Sequence, residues 1–305
     1  MITFFSTPKP FAGHTGIIQR NAMESWKRVH PDAEVILFGD EEGSAEAARD
    51  LGIRHVPDVR RNEHGTKYLS PIFDAAHDLA RHRCLCYVNC DIIFLSDFLA
   101  AVERVTAAGA KFLMAGQRWD TDITAPVDFG SAHWETRVRQ KAHEANRLRP
   151  PQWIDYFVFS HGLYYRNTPP FVIGRPGWDN WLVWHARASG ALVVDVTPVV
   201  QAVHQNHDYS YHPDGAAGVW QGEEARRNYA LLEDGRCFAT LENATHRLAP
   251  GGLRPNCCHW FVQTKRKATR ARNAAWFALL GLTRPLRHRL GLRQRRVPPA
   301  PAGSK

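Results

Sequence analysis

The chain has 305 residues, 44% of them apolar, with 19 Pro and 22 Gly, which is enough apolar material and ordinary enough turn content for a globular core. No stretch reaches the ~20 apolar residues of a membrane-spanning helix; the best, residues 274–282, is too short. The net charge of +9 is uneven: no Asp or Glu follows Glu242, 14 of the 39 Lys and Arg lie from Arg247 onward, and the preceding body holds 25 basic against 30 acidic residues.

The predicted elements alternate in type. Residues 2–6 (ITFFS) make a first strand, followed by a helix over 16–29. Residues 34–38 (EVILF) form a second strand, stopped at Gly39-Asp40. A helix spans 42–51 and a short strand 54–59. The next helix covers 70–83, with Pro71 suited to its first turn. Residues 84–89 (CLCYVN) read as a near-continuous apolar strand, the pattern of a sheet covered on both faces. A helix over 97–108 and a strand over 111–115 (KFLMA) complete the first half. Strands alternating with helices of this length predict an α/β fold with a mostly parallel central sheet flanked by helices.

The second half is less regular. A polar segment, 117–152, is assigned no element. It is followed by a strand at 155–160 (DYFVFS), an apolar stretch at 171–174, a helix near 179–189, a strand at 191–196 (ALVVDV) and a short helix at 223–232. The predicted division is a body, 1–255, and a basic amphipathic tail, 256–305. The tail would place Trp276, Phe277, Leu279 and Leu280 on one helical side, a composition suited to an anionic membrane surface. Nucleic acid is not expected as a partner, because the body is acidic and no recognition motif appears.

Six cysteines occur at 84, 86, 90, 237, 257 and 258. They do not form a disulfide framework. Cys84, Cys86, Cys257, Cys258 and His259 lack CxxC spacing, so buried or inert thiols are a better reading than zinc. Reduced thiols, and a start (MITFFSTPKP) unlike a secretory leader, give the expectation of a cytoplasmic protein, peripheral on the inner membrane face if the tail binds there.

In an open parallel sheet, ligands bind beyond the carboxyl ends of the strands. The polar residues at those ends are Ser6, Thr7 and Lys9 after the first strand, Asp40 after the second, and Asn89 and Asp91 after CLCYV. Lys67 lies in a polar stretch (NEHGTK) ahead of that strand. Asp91 stands out, since an ionised carboxylate inside an apolar run is costly unless paired or metal-bound. Asn89 and Asp91 share a side and offer oxygen ligands to Mg²⁺ or Mn²⁺. HQNHDY, 204–209, gathers His204 and His207 beside Asp208, although HxxH spacing does not put both rings on one strand face. In GRPGWDNWLVWHA, Asp179 opens a helix between Trp178 and Trp181, as an N-cap or as a base toward an acceptor hydroxyl with the tryptophans stacked on a sugar. Asp155, which opens DYFVFS, is placed in the same cavity.

FSTPKPF, QRNAMESW, VILFGD, YVNCDI, WDNW and HQNHDY together resemble nucleotide-sugar-dependent glycosyltransferases of the GT-A fold, a Rossmann-like architecture, over residues 1–245. The resemblance implies a nucleotide-diphospho-sugar donor (UDP- or GDP-sugar), Mn²⁺ or Mg²⁺ as cofactor, hexosyl transfer to a glycan or lipid-linked glycan, and a place in polysaccharide biosynthesis. Asn89-Cys90-Asp91 stands where the family has DxD. Asp91 is then the metal ligand and Asn89 a ribose or water-mediated contact. The resemblance further implies His204, then His207, completing the metal shell, Asp179 as base, Ser6, Thr7, Lys9 and Asp40 around the nucleoside, and Lys67 on a phosphate. Two rivals remain. One is a degenerate glycan-binding or scaffold protein, favoured by Asn at the first DxD position. The other is a sugar-phosphate nucleotidyltransferase, disfavoured because FSTPKPFAGHTG lacks a GxGxR loop.

Overall fold

The structure, a computed structural model, describes residues 1–208 and 214–256. Its strands are β1 (Thr3–Ser6), β2 (Glu34–Phe38), β3 (Arg54–Val56), β4 (Cys84–Val88), β5 (Ile92–Ile93), β6 (Phe112–Ala115), β7 (Arg118–Thr121), β8 (Tyr156–Ser160), β9 (Leu192–Asp195), β10 (Ala202–Gln205), β11 (His246–Ala249) and β12 (Gly252–Pro255). The helices are α1 (Gly13–Val29), α2 (Ser44–Leu51), α3 (Leu69–Leu79), α4 (Ser96–Thr106), α5 (Trp134–Ala145), α6 (Trp178–Ala188), α7 (Gly215–Gln221) and α8 (Glu223–Ala230).

Nine strands form one sheet in the order β12-β11-β9-β6-β8-β4-β1-β2-β3. Seven run in one direction, while β8 is antiparallel to both neighbours and β12 is an antiparallel edge. The predicted α/β fold with a mostly parallel sheet is therefore the observed one. Its central strands are buried on both faces, and consecutive side chains go to opposite cores. Phe5, Tyr87 and Phe157 join one apolar cluster with α3 and α6. Phe4, Cys86, Val88 and Tyr156 join the other with α1, α2 and α4. This two-sided burial explains why CLCYV reads as an unbroken apolar run. Cys84, Cys86 and Cys90 are buried free thiols with burial pushing each one upward, so they are packing residues rather than reactive or metal-bound ones.

A smaller sheet, β5-β10-β7, lies beside the large one, with β10 antiparallel to β5 and parallel to β7. Its second core joins Ile93, Leu95 and Val203 to Val138 and Ala142 of α5. Both β7 and α5 fall within 117–152, where no element was expected. Only two of the twelve residues of α5 are buried, so its apolar stripe is too thin to announce a helix. The stretch at 171–174 makes only a single bridge, Tyr68 to Val172. No helix among the described residues is long and apolar enough to cross a membrane. Apart from Asn256, the predicted tail lies outside the described residues, as do Cys257, Cys258 and His259 of the weighed zinc set.

The turn after β4 is locked from two sides. The Asn89 N–H donates to the Asp155 carbonyl at 2.9 Å, and the Gln205 N–H donates to the Asp91 carbonyl at 3.0 Å. Gln205 is fully buried; its Nε2 donates to the carbonyls of Ile18 (2.8 Å) and Asp91 (3.2 Å), and its Oε1 accepts from Asn21 Nδ2 (2.9 Å). Gln205→Ala removes the Ile18 bond and the Asn21 acceptor in a closed core. It is expected to lower stability by about 2–4 kcal/mol, read from the midpoint of a urea melt.

Candidate active site

The carboxyl ends of β1, β2 and β4, the start of the antiparallel β8, the end of β10 and the first turn of α6 surround one cavity of about 1140 Å³. That is at the upper end of small-molecule sites, which run to ~1,000 Å³. Of the residues singled out in the sequence, Thr7, Lys9, Lys67, Asn89, Asp91, Asp155, Trp178, Asp179, His204 and His207 line it.

At its deepest charged point, Asp91 Oδ2 is 3.2 Å from His207 Nε2 and 3.9 Å from His204 Nε2. One ligand atom from each of the three residues lies within 4.8 Å of the others. The expectation that HxxH separates the two rings does not hold. His204 is still in β10, but the strand ends at Gln205, and the chain turns His207 back toward the same carboxylate. Burial raises the Asp91 carboxyl, but the neighbouring His204, His207 and Lys9 outweigh it and hold it below the usual carboxylate range. Lys9 Nζ is 3.3 Å from His207 Nε2, and its ammonium is lowered by burial against the pull of Asp91.

The residues fit a divalent cation. Asp91 Oδ1 is buried without a hydrogen-bond partner, a state that is costly unless something cationic meets it. One carboxylate and two imidazoles suit Mn²⁺ better than Mg²⁺. His204 is backed by a carboxylate: its Nδ1 lies 3.1 Å from Asp120 Oδ1, which favours the proton on Nδ1 and leaves the Nε2 lone pair for the cavity.

Asp120 belongs to a charge network that sequence reasoning missed. Arg118 Nε (3.1 Å) and Arg149 Nε (2.7 Å) both face Asp120, and Arg118 Nη1 also donates to Asp155 Oδ2. Asn89 Nδ2 donates to Asp155 Oδ1 at 2.6 Å. Asn89 is thereby a structural donor to Asp155, and Asp155 is an ion-paired anchor rather than an open pocket acid. The one available signal was Arg-Trp-Asp-Thr itself. Trp119 packs against the α5 core while Arg118 and Asp120 line the cavity, the period-two alternation of a strand.

Other assignments are corrected. Ser6 does not line the cavity; it is buried and its hydroxyl donates to the Val88 carbonyl, joining β1 to β4. Asp40 is exposed and bonded to Arg61 outside the cavity, and the neighbouring Glu41 takes the lining position. The Lys67 ammonium reaches the cavity wall but is committed to Glu41 Oε2 (2.6 Å) and the Pro8 carbonyl (2.9 Å), so it braces the loop after β1. Trp181 is in the core, stacked on His185 and away from the cavity. Trp178 touches the cavity, but its ring is buried against Tyr87 and Phe157. Both tryptophans lie on the inward face of α6 because residues three apart share a helix face.

No family model matches the chain, and no curated protein matches it in sequence. Solved structures similar to it include glucosyl-3-phosphoglycerate synthase from Mycobacterium tuberculosis, at 15% identity over 78% of this chain and 80% of that one, TM-score 0.46. The same enzyme in complex with Mg²⁺ and uridine diphosphate scores 0.43 at 15% identity, covering 78% and 79%. Its complex with Mn²⁺, UDP-glucose and phosphoglyceric acid scores 0.44 at 15% identity, again covering 78% and 79%. These are distant likenesses of outline, and the chemistry of the cavity is read from its own residues.

Asp179, in the first turn of α6, also lines the cavity. Burial pushes its carboxyl up to about 7; bonds from backbone N–H groups, such as that of Gly177 at 3.2 Å, oppose the rise, and the charge of Asp155 adds to it. The folded protein therefore holds this proton after the unfolded chain has lost it. The resulting stability is full below the unfolded pKa of ~4 and is lost as pH rises through about 7. The expected loss is up to about 4 kcal/mol, and Asp179→Asn is expected to flatten it. Denaturation midpoints from pH 4 to 8 check both statements.

Proposed function

We propose that the protein is a divalent-metal-dependent glycosyltransferase that moves a hexosyl group from a nucleotide-diphosphate donor to a glycan or lipid-linked glycan. The observation that carries this reading is the buried Asp91 carboxylate, with one oxygen unpartnered, facing two imidazole Nε2 atoms in a cavity of net acidic lining. Six basic and eight acidic side chains line that cavity. Such a cavity repels a diphosphate unless a cation is added, and Asp91, His204 and His207 are the residues that would hold it. The bound cation would supply charge neutralisation to the leaving diphosphate.

The remaining groups suit the other half of the transfer. Lys9, beside His207, is positioned to meet phosphate oxygens. Asp179, with its carboxyl raised to about 7, is half protonated near neutrality and so basic enough to take a hydroxyl proton. In direct transfer the acceptor oxygen forms its bond to the anomeric carbon, the bond from that carbon to the diphosphate breaks, and the acceptor proton passes to Asp179. The basic tail is proposed to keep the enzyme at the cytoplasmic membrane face, near a lipid-linked acceptor.

Three experiments test the reading. Asp91→Ala is expected to abolish metal-dependent nucleotide-sugar turnover and Mn²⁺ binding by calorimetry; activity that survives removes the metal assignment. Calorimetry with UDP and GDP, with and without Mn²⁺, separates the enzyme from a scaffold, which would show no metal-dependent binding. Asp120→Asn is expected to weaken Mn²⁺ binding about 10–100-fold through His204 without touching the ion, read by the same titration.

A further inference from the structure

We infer that the acceptor is an uncharged sugar whose ring lies against Trp220 and Tyr229 at the cavity mouth, with Trp153 as the backing ring. This rests on the transferase reading and names the acceptor class for it. Among the described residues, Trp220 (39% exposed) and Tyr229 (44%) are the only large aromatics left open to solvent, and both line the cavity. Exposed aromatic faces grouped at one pocket mark a binding surface rather than scattered surface residues.

The rings are held in place. Trp153 packs 6.1 Å from Trp220, centroid to centroid, at 30°. The Arg149 guanidinium lies 4.2 Å from the Trp153 ring and that of Arg118 5.5 Å from it, which fixes the ring. Tyr229 borders the proposed base: a side chain added at Gly177 would come within 3.9 Å of its Cδ1, and Gly177 bonds Asp179. An acceptor ring on Tyr229 would lie on the same cavity lining as Asp179.

The charge pattern selects a neutral acceptor. Each arginine that lines the cavity is already paired: Arg61 with Glu41, Arg118 with Asp120 and Asp155, Arg149 with Asp120, and Arg175 with Glu224. An anionic acceptor would have to compete with these pairs, or with the donor diphosphate for Lys9, whereas a pyranose needs only a flat apolar face and hydroxyl partners.

The test is saturation-transfer NMR on the full chain with Mg²⁺ and UDP or GDP. The probes are maltotriose, cellotriose and chitotriose, set against 3-phosphoglycerate and glucuronate. Transfer to ring C–H protons of at least one neutral trisaccharide is expected, weakened about tenfold in affinity by Trp220→Ala and by Tyr229→Ala. Nucleotide affinity in both variants should stay within about twofold of wild type, which also reports that they fold. Binding of only the acidic probes, no transfer from any neutral sugar, or neutral-sugar binding indifferent to both variants overturns the inference. Failure of the wild type to bind nucleotide with metal sinks the donor reading instead, and sugar binding measured without nucleotide still decides the aromatic surface.

Discussion

The Asp91 carboxylate is the constraint around which this molecule is arranged. It sits in the turn after a fully buried strand with its side chain only 13% exposed, so water stabilises its charge poorly. Two separate parts of the chain bring positive or protonatable groups to it: Lys9 after β1, and His204 and His207 at the end of β10 and just beyond it. Its carbonyl is bound twice by Gln205, so the turn cannot swing the charge out to solvent. An unpaired buried anion would destabilise the fold by several kcal/mol. The small β5-β10-β7 sheet serves chiefly to deliver the two imidazoles that prevent this.

That delivery depends in turn on the Arg118, Asp120, Arg149 and Asp155 network. Asp120 orients His204, while Asp155 ties the start of β8 to the turn after β4. Arg118 bridges the two carboxylates, so the end of β10 and the start of β8 share one charge-paired frame. Because each charge has partners, the frame is stable without solvent, and it leaves only a few groups free to meet a ligand. The Asp91 carboxylate beside the two imidazoles and the raised Asp179 carboxyl are two such groups, and both residues line the cavity.

Much of the fold was legible because local pattern and burial agree. EVILF, CLCYV and YFVFS are strands whose every residue or nearly every residue is buried, and α6 announces itself by its apolar spacing. The metal-like triad was legible in part, as polar residues just past strand ends. What failed to show was non-local. β7 is recognisable only through its pairing with β10, some eighty residues on, and its inward residues are charged. The tryptophans of WDNW looked like sugar platforms, yet their three-residue spacing turns both into the core. The open aromatics come instead from α7, a seven-residue helix that was not foreseen, and from α8, foreseen as a short helix but not as a site element. Ser6 and Asp40 follow strands as ligand-binding residues do, but a buried hydroxyl is taken by the nearest carbonyl and an exposed carboxylate by the nearest arginine.

The same reasoning explains Asn89, the departure from a two-aspartate motif. Its Nδ2 donates to Asp155 Oδ1 at 2.6 Å, and Asp155 Oδ2 is ion-paired with Arg118. An aspartate at position 89 would set two carboxylates against each other in a part-buried site, and one would have to take up a proton. The neutral amide avoids that and adds the donor that Asp155 lacks. Position 89 is therefore set by the frame. Under the proposed metal site, Asp91, His204 and His207 would hold the cation without a carboxylate at 89, and the charge removed at 89 is matched by the charge already present at 155.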